Sequence, residues 1–359
     1  MSALDVVLVV LFEDNSETET VIWIDAANVL GIPSVVIPFT IADATEPAES
    51  HYPDPLFHAH TNKYNEFVAA NYPRWVMRHK DRDVVRRIGI AAIAAEWLGL
   101  TPPLPWILNS TRATAVAIES DAGMEHYRRL GLPNSKLIKT GSLADDVLFR
   151  SRVGDRLEAL AQFGFSAADR VILCAFPPNQ LTAIRPNVEF TNYAELVEFW
   201  IRALSSHPGW RVIVRPHPFM VETDVKLLYA RGAIVSMEHT ASLVPLCDVY
   251  VASVSSTIRW AIGMGKPVVN YDVFGYNYSD FDRVPSVIKA TTKQAFASTL
   301  ARLTSDAAYL SEITAAAQRE AARWAEIDGG SGERIIGLFD SLSTGGPSAF
   351  SAQRLRPSS

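Results

Sequence analysis

Residues 211–218 read RVIVRPHP, an apolar run that ends abruptly on a histidine between two prolines. Proline fixes its own φ and restrains the residue before it, so this loop is stiff and His217 is pre-positioned. An imidazole held in this way can donate to a phosphate oxygen or to a leaving group. Arg215, two residues earlier, is a further candidate phosphate ligand. The structural alternative is a turn that caps the strand, with His217 packed or solvated. His207-Pro208, in SSHPGW, is the internal control. It precedes the strand, falls on the opposite sheet edge and reads as a plain turn.

A second stretch, Ser253-Val254-Ser255-Ser256-Thr257, follows the apolar run Val249–Ala252 and leads into an amphipathic helix. Hydroxyls at a helix start can cap it, and N–H groups there can bind anions. Ser253, Ser255, Ser256 and Thr257 are therefore candidate phosphate ligands, against capping alone. A third, LFEDNSETE at 11–19, closes the first strand with Glu13 and Asp14. Either carboxylate could take a proton from a hydroxyl acceptor as general base. Acids at a helix start are also common and mildly stabilising. A fourth, Thr140-Gly141-Ser142, is a tight turn near a domain junction, where Gly141 and Ser142 either face a donor or merely connect.

These stretches matter because of where the elements place them. Strand and helix patterns alternate almost throughout, which implies parallel sheets covered by helices on both faces. Strands are expected at Val6–Phe12 (buried), Ser34–Pro38, Thr114–Ile118 and Leu137–Thr140. Two helices are expected around 60–78 and 81–98. After a crossover at 145–169, strands follow at Val171–Ala175, Arg211–Arg215, Ala233–Ser236, Val249–Ala252, Pro267–Asn270 and Val287–Lys289. Helices at about 306–326 and 332–342 close the fold. In open parallel sheets ligands sit beyond the C-terminal strand ends. That rule puts His217, Ser255 and Glu13 on functional edges, and adjacent strand ends would bring His217 and Ser255 to one ligand.

The bulk numbers exclude several classes. The 359 residues suffice for two domains, and 48% hydrophobic with 20% charged is ordinary for a globular chain. A net charge of -6 offers no general attraction to nucleic acid or anionic lipid. Cys174 and Cys247 sit in apolar runs and read as buried thiols in a reducing compartment. No zinc spacing, P-loop, dinucleotide fingerprint or nucleophile elbow is present. Asp81-Arg82-Asp83 and Asp280-Phe281-Asp282 match D-x-D, but neither is well placed for a metal. No metal is expected, and no cofactor beyond a substrate nucleotide. Trp75 and Trp97 could stack on a glycan, but core or helix-packing roles fit them better.

Taken together, RPHP after a strand and then CDVYVASVSSTIRWAIGMGKPVVNYD at 247–272 resembles the nucleotide-binding half of GT-B glycosyltransferases. The likeness is to bacterial surface-polysaccharide enzymes: capsule-type Kdo and sialic acid transferases, and CDP-glycerol glycerophosphotransferases. In that group an HP motif and a downstream Ser-Ser/Thr motif contact the nucleotide phosphates, which implies donor contacts for His217, Ser255 and Ser256. Glu13-Asp14-Asn15 is similar to a sialyltransferase acidic motif, with Asn15 in place of its glycine. KLIKTGSLADDVL resembles the interdomain segment, and DGGSGERI at 328–335 the start of the C-terminal helix. The match covers residues 135–340. UDP-GlcNAc 2-epimerases on this fold carry two glutamates where this chain has Arg259 and Trp260. That difference counts against an epimerase, and it also removes a ribose-gripping glutamate common in GT-B enzymes. The N-terminal domain shows about four strands where the group usually shows six or seven, and the first looks like a middle strand.

The resemblance implies a GT-B-like α/β fold of two Rossmann-like parallel-sheet domains facing a cleft, with an N-terminal domain that is either shortened or incomplete. The expected division is 1–145 (acceptor side), 146–342 (nucleotide-sugar binding) and a disordered tail, 343–359. It implies a metal-independent transferase acting on a nucleotide-sugar donor, CMP-linked ahead of UDP- or CDP-linked, and on a glycan or glycolipid acceptor. It implies a cytoplasmic location with at most peripheral membrane association, and no nucleic acid partner. Two rivals stand beside it: an epimerase or sugar-nucleotide hydrolase, and a non-catalytic binding protein on the same fold. Sugar, linkage, stereochemical outcome and oligomeric state stay open.

Overall fold

The structure, a computed structural model, describes residues 5–40, 44–110, 112–181 and 188–345. The chain forms two compact units. Of the described residues, the first comprises those up to Glu119, Gly123–Gly141 and Ser331–Gly345; the second comprises Ser120–Ala122 and those from Ser142 to Gly330.

In chain order the first unit has β1 (Val9–Leu11), β2 (Ser34–Val36), β3 (Val76–His79), β4 (Arg82–Val85), β5 (Ala115–Ile118) and β6 (Leu137–Lys139). Four of these make a parallel sheet in the order β1-β2-β5-β6. Successive strand side chains point to opposite faces, and both faces are covered. Val36, Val116 and Ile118 pack with Ile24 of the helix Thr20–Val29. Val35, Ala115 and Ala117 pack with Leu338 and Leu342 of the helix Ser331–Gly345. Burying each of those leucines stabilises the unit by about 2 kcal/mol.

That last helix was expected with the second domain. Its apolar stripe finds its partners on the first sheet instead, after the chain has traversed the second unit. Residues 343–345, expected in the tail, are its final turn; 346–359 lie outside the described residues.

β1 departs from the expected buried strand. It is an edge strand with β2 on one side only, and Val7, Val10 and Phe12 are exposed. The stretch 76–85, expected as helix, is an antiparallel hairpin of β3 and β4. Pro73 stops the preceding helix at Asn71. The β-branched Val76, Val84 and Val85 then favour a pleated strand pair, and Val84 and Val85 are fully buried. Lys80 at φ 53° makes the tight turn.

The second unit has β7 (Arg170–Phe176), β8 (Trp210–Pro216), β9 (Ile234–Val235), β10 (Val249–Ala252), β11 (Val268–Tyr271) and β12 (Val287–Ala290). All pair in parallel, in the order β12-β11-β10-β7-β8-β9. The helix Tyr193–Ser205 buries Leu196, Val197, Trp200, Ile201 and Leu204 at helical spacing. Trp200 meets Phe176, Tyr271 and Phe296, with ring centroids 5.0–5.3 Å apart. The chain winds outward from β7 through β8 and β9, then returns to β10 on the other flank. The C-terminal ends of β7 and β10 are thus a topological switch point, where open α/β sheets place ligands.

Candidate functional site

The site lies entirely within the second unit. β8 ends on Pro216, and the backbone N–H of His217 donates to Phe176 O at 3.0 Å, tying the loop to the end of β7. The His217 ring accepts from Phe219 N at Nδ1, 3.1 Å. A neutral ring accepting at Nδ1 carries its proton on Nε2, which leaves an Nε2–H donor. Burial, and then the nearby Arg215 charge, push the His217 pKa below the usual histidine range. Arg215 is half-buried and is fixed by donating to Glu238 O at 3.0 Å and to Pro216 O.

Sequence reasoning missed a second histidine of the same construction. His239 follows β9 and opens the helix Thr240–Leu243, its Nδ1 accepting from Ala241 N at 3.3 Å. Burial and Arg215 push its pKa down as well. Its ring lies 5.4 Å from that of Trp260. The available signal was its position just beyond a short apolar strand, which His217 shares.

Beyond β10 the backbone is strained. Val254 sits at φ 44°, a region a β-branched residue rarely occupies. Its N–H donates to Asn270 Oδ1 at 2.9 Å, which holds it there. Ser253 is buried, and its hydroxyl has no hydrogen-bond partner among the described residues. Ser255 and Thr257 share a hydroxyl contact at 2.7 Å, and Thr257 meets Tyr250 OH at 2.5 Å. The helix Ile258–Gly263 is only six residues long, and the N–H groups of Ile258, Arg259, Trp260 and Ala261 already donate to carbonyls of the turn. The ligand-facing capacity here therefore rests on the serine hydroxyls more than on the helix start.

The His217 and Ser255 loops do not leave adjacent strands, as the sequence led one to expect. β8 and β10 are not neighbours; β7 lies between them. Two strand spacings separate the His217 and Ser255 loops by roughly 10 Å. They flank the switch point instead of sharing adjacent strand ends. A ligand touching both would span the end of β7, as an extended phosphate ester could.

Ser142 and Arg259 turn out to be structural partners. Ser142 caps the helix Leu143–Val153 in a reciprocal box with Asp145. The buried Arg259 donates to Asp145 Oδ1 at 3.1 Å, Ser142 Oγ at 2.9 Å and Trp324 O at 3.1 Å. Gly141, in the first unit, adopts φ 76°, and a Cβ there would lie 2.2 Å from Ser331 Oγ. The Thr140-Gly141-Ser142 turn is explained by packing and capping.

In the first unit, Asp14 is buried, and its backbone is locked by reciprocal 2.8 Å bonds with Asn109. It borders a small cavity with Val21, Ile24, Leu100, Pro102 and Arg112. Glu13 is half-exposed. Trp75 is fully buried and donates to Glu96 Oε1 at 2.5 Å, whereas Trp97 is 78% exposed rather than packed.

The D-x-D pairs are engaged elsewhere. Asp81 accepts from Tyr52 OH, Asp83 pairs with Arg78, and Asp282 pairs with Lys289. Among the described residues no three His, Cys, Asp or Glu side chains group to hold a metal. Cys174 and Cys247 are free and buried, and burial pushes both thiols up, Cys247 to about 12.

No protein-family model matches the chain, and no curated protein does. Solved structures do match. One is the wall teichoic acid polymerase TagF soaked with CDPG: 12% identity, TM-score 0.51, covering 87% of this chain and 67% of that one. Another is S. aureus MnaA with UDP: 12% identity, TM-score 0.51, covering 94% and 75%. At such identities likeness speaks for the fold. Together with the two parallel sheets, it shows a GT-B-like α/β chain built of two Rossmann-like units.

Proposed function

We propose that this chain is a glycosyltransferase. It moves a sugar from a nucleotide-activated donor, CMP-linked ahead of UDP- or CDP-linked, to a hydroxyl of a growing surface polysaccharide or glycolipid of the capsule type. The observation that carries the reading is that Arg215, His217, His239 and Ser253 all stand at or just beyond the C-terminal strand ends of the second sheet, with His217 and Ser253 on either side of its switch point. One guanidinium, two neutral imidazoles with Nε2–H donors and a buried unpaired hydroxyl make a site for phosphate oxygens. Structures of the same fold with CDPG and with UDP are consistent with a pyrimidine nucleotide there.

As the bond from the anomeric carbon to the phosphate oxygen breaks, negative charge builds on the leaving phosphate. His217 Nε2–H donates to it and Arg215 offsets its charge, so stabilisation is electrostatic. Ser253, Ser255, Ser256 and Thr257 line the other flank. Glu13 takes the proton of the acceptor hydroxyl; Asp14 is the poorer candidate because its side chain is buried. Metal independence belongs to the proposal, with the Arg215 guanidinium neutralising phosphate charge in place of a metal. Among the described residues no helix is long and apolar enough to cross a membrane. The proposal places the enzyme in the cytoplasm, peripheral at the inner membrane face where such acceptors are built.

The epimerase rival lacks its acids: Arg259 replaces one and is fully engaged by Asp145, Ser142 and Trp324. The test is thermal unfolding with CMP, CDP and UDP, each without metal and then with Mg²⁺. Ligand at about 100 times its Kd adds roughly 2.7 kcal/mol. A metal-independent upward shift with one nucleotide supports the reading and identifies the donor class. No shift with any of them sinks it. A shift accompanied by no transfer to any hydroxyl acceptor favours a non-catalytic binder.

A further inference from the structure

The loop leaving β1 carries more than Glu13 and Asp14. Glu17, on the turn that follows, is bound by two basic side chains of the same unit. Arg86 Nη1 lies 2.6 Å from Glu17 Oε2, and His51 Nε2 lies 3.0 Å from Oε1. Asn15 braces the arrangement, its Oδ1 accepting from Arg86 Nη2 at 2.9 Å and from Glu17 N at 3.0 Å. Arg86 and His51 are anchored below: Arg86 N donates to Trp75 O at 2.8 Å, and the His51 ring stacks on Phe57 at 3.9 Å.

Arg86 and His51 are more than nine-tenths buried. Arg86 Nε and His51 Nδ1 are buried with no hydrogen-bond partner among the described residues. A second guanidinium, Arg87, is half-buried; burial lowers its pKa, Glu17 opposes that and the Arg86 charge adds to it. Arg86 and His51 thus share one carboxylate, and Arg87 is near enough to feel its charge. A buried guanidinium deprived of its carboxylate is expensive, and the unpaired Nε–H of Arg86 adds to the expense. The carboxylate that does compensate sits on a surface turn with about a third of its side chain exposed. The basic groups are held by the hairpin exit and by an aromatic stack, so the anion is the movable part.

We propose that Arg86 and His51, with the charge of Arg87 nearby, form an anion subsite that Glu17 occupies in this state and that a carboxylate or phosphate group of the acceptor takes over. Glu17 lies on the loop that leaves the C-terminal end of β1, four residues after Glu13. The subsite deepens the transferase reading, on which it rests, by assigning an anionic acceptor. Glu17 is then a built-in competitor that leaves when the acceptor's own anion enters.

The experiment measures binding of two probes to the full chain by calorimetry at fixed ionic strength. They are inorganic phosphate and glucuronate, with glucose as the neutral control. Glu17→Gln removes the competing charge, and affinity for both anions should rise about tenfold while glucose stays unchanged. Arg87→Met, at a half-buried position, should lower anion affinity at least tenfold in either background. Glu17→Ala carries the same expectation as Glu17→Gln. Anion affinity indifferent to Glu17 and Arg87, or lost only on His217→Ala, overturns the subsite. Response to phosphate but not glucuronate would assign a phosphate-bearing acceptor; the reverse would assign a carboxylate. The nucleotide shift is measured in parallel. If it appears and the anion effect does not, the subsite alone falls. If the anion effect appears without it, the transferase reading and the acceptor assignment fall and an anion site alone remains.

Discussion

The backbone N–H of His217 donates to Phe176 O at 3.0 Å, so the imidazole that follows β8 is fastened to the end of β7. The prolines on either side of His217 stiffen its loop, and this bond sets where the stiff loop points. If His217 donates to the leaving phosphate, His217→Ala should reduce turnover about 100-fold or more. Nucleotide-induced stabilisation should fall far less. Turnover within a few-fold of the parent would remove His217 from the chemistry.

The histidines also set a pH limb. Burial lowers the pKa of His207, His217 and His239, and for the last two Arg215 adds to the effect. A depressed folded value means that the unfolded chain binds more protons as pH falls below about 6.5. Their contribution to stability is therefore fully present above that pH and declines below it. Chemical unfolding between pH 5 and 8 should show this decline, and His239→Gln should flatten part of it. A stability flat across that range would contradict the neutral assignment.

Arg259 and Asp145 test the second unit. Both are buried, and they pair at 3.1 Å across 114 residues of sequence. Removing one partner of a buried pair leaves the other charge uncompensated, at a cost of about 3–5 kcal/mol. Arg259→Met should lower the urea midpoint by a correspondingly large amount, and adding Asp145→Leu should recover part of it. A loss below about 1 kcal/mol would mean that the site admits water and the pair is not structural.

Gly141 faces two obstacles to substitution: its φ of 76° and the Ser331 hydroxyl 2.2 Å from where a Cβ would stand. Gly141→Ala should destabilise the first unit by more than about 1 kcal/mol. Adding Ser331→Gly should relieve the steric part and leave the backbone strain. Equal stability of Gly141→Ala and the parent would show that the helix Ser331–Gly345 shifts freely.

Val254 is the place where strain and function should separate. Val254→Gly removes the penalty of a β-branched residue at φ 44°. Glycine also loses more backbone entropy on folding, so the net gain should be modest, about 1 kcal/mol. If the held turn pre-positions Ser253 and Ser255, turnover should drop as stability rises. Loss of stability on this substitution would mean that the valine side chain matters more than its backbone angle.

The elements that could be read from the chain are those whose causes are local. β8 and β10 are short apolar runs closed by turn residues, and their limits fall within a residue or so of the expected ones. The helix Ala307–Trp324 has its periodic stripe and its Asp306 cap in one continuous stretch. The hairpin at 76–85 was missed because alternating charges in RHKDRDVVRR imitate a solvated helix. Its strand character lies in three valines and in the proline at 73. His239 was missed because β9 has only two residues and gives almost no strand signal.

From sequence alone came the alternation of strands and helices, the parallel sheets and the placing of RPHP and the serine loop at C-terminal strand ends. These follow from side-chain periodicity and from the stiffness of proline, which act within a few residues. Only the tertiary structure put β7 between the two loops, joined Arg259 to Asp145, carried the helix Ser331–Gly345 back to the first sheet, left β1 at an edge and brought Arg86 and His51 onto Glu17. Each of those is a choice of partner far along the chain, decided by which buried surfaces and charges satisfy one another once the sheets have formed. No short window of residues holds that information.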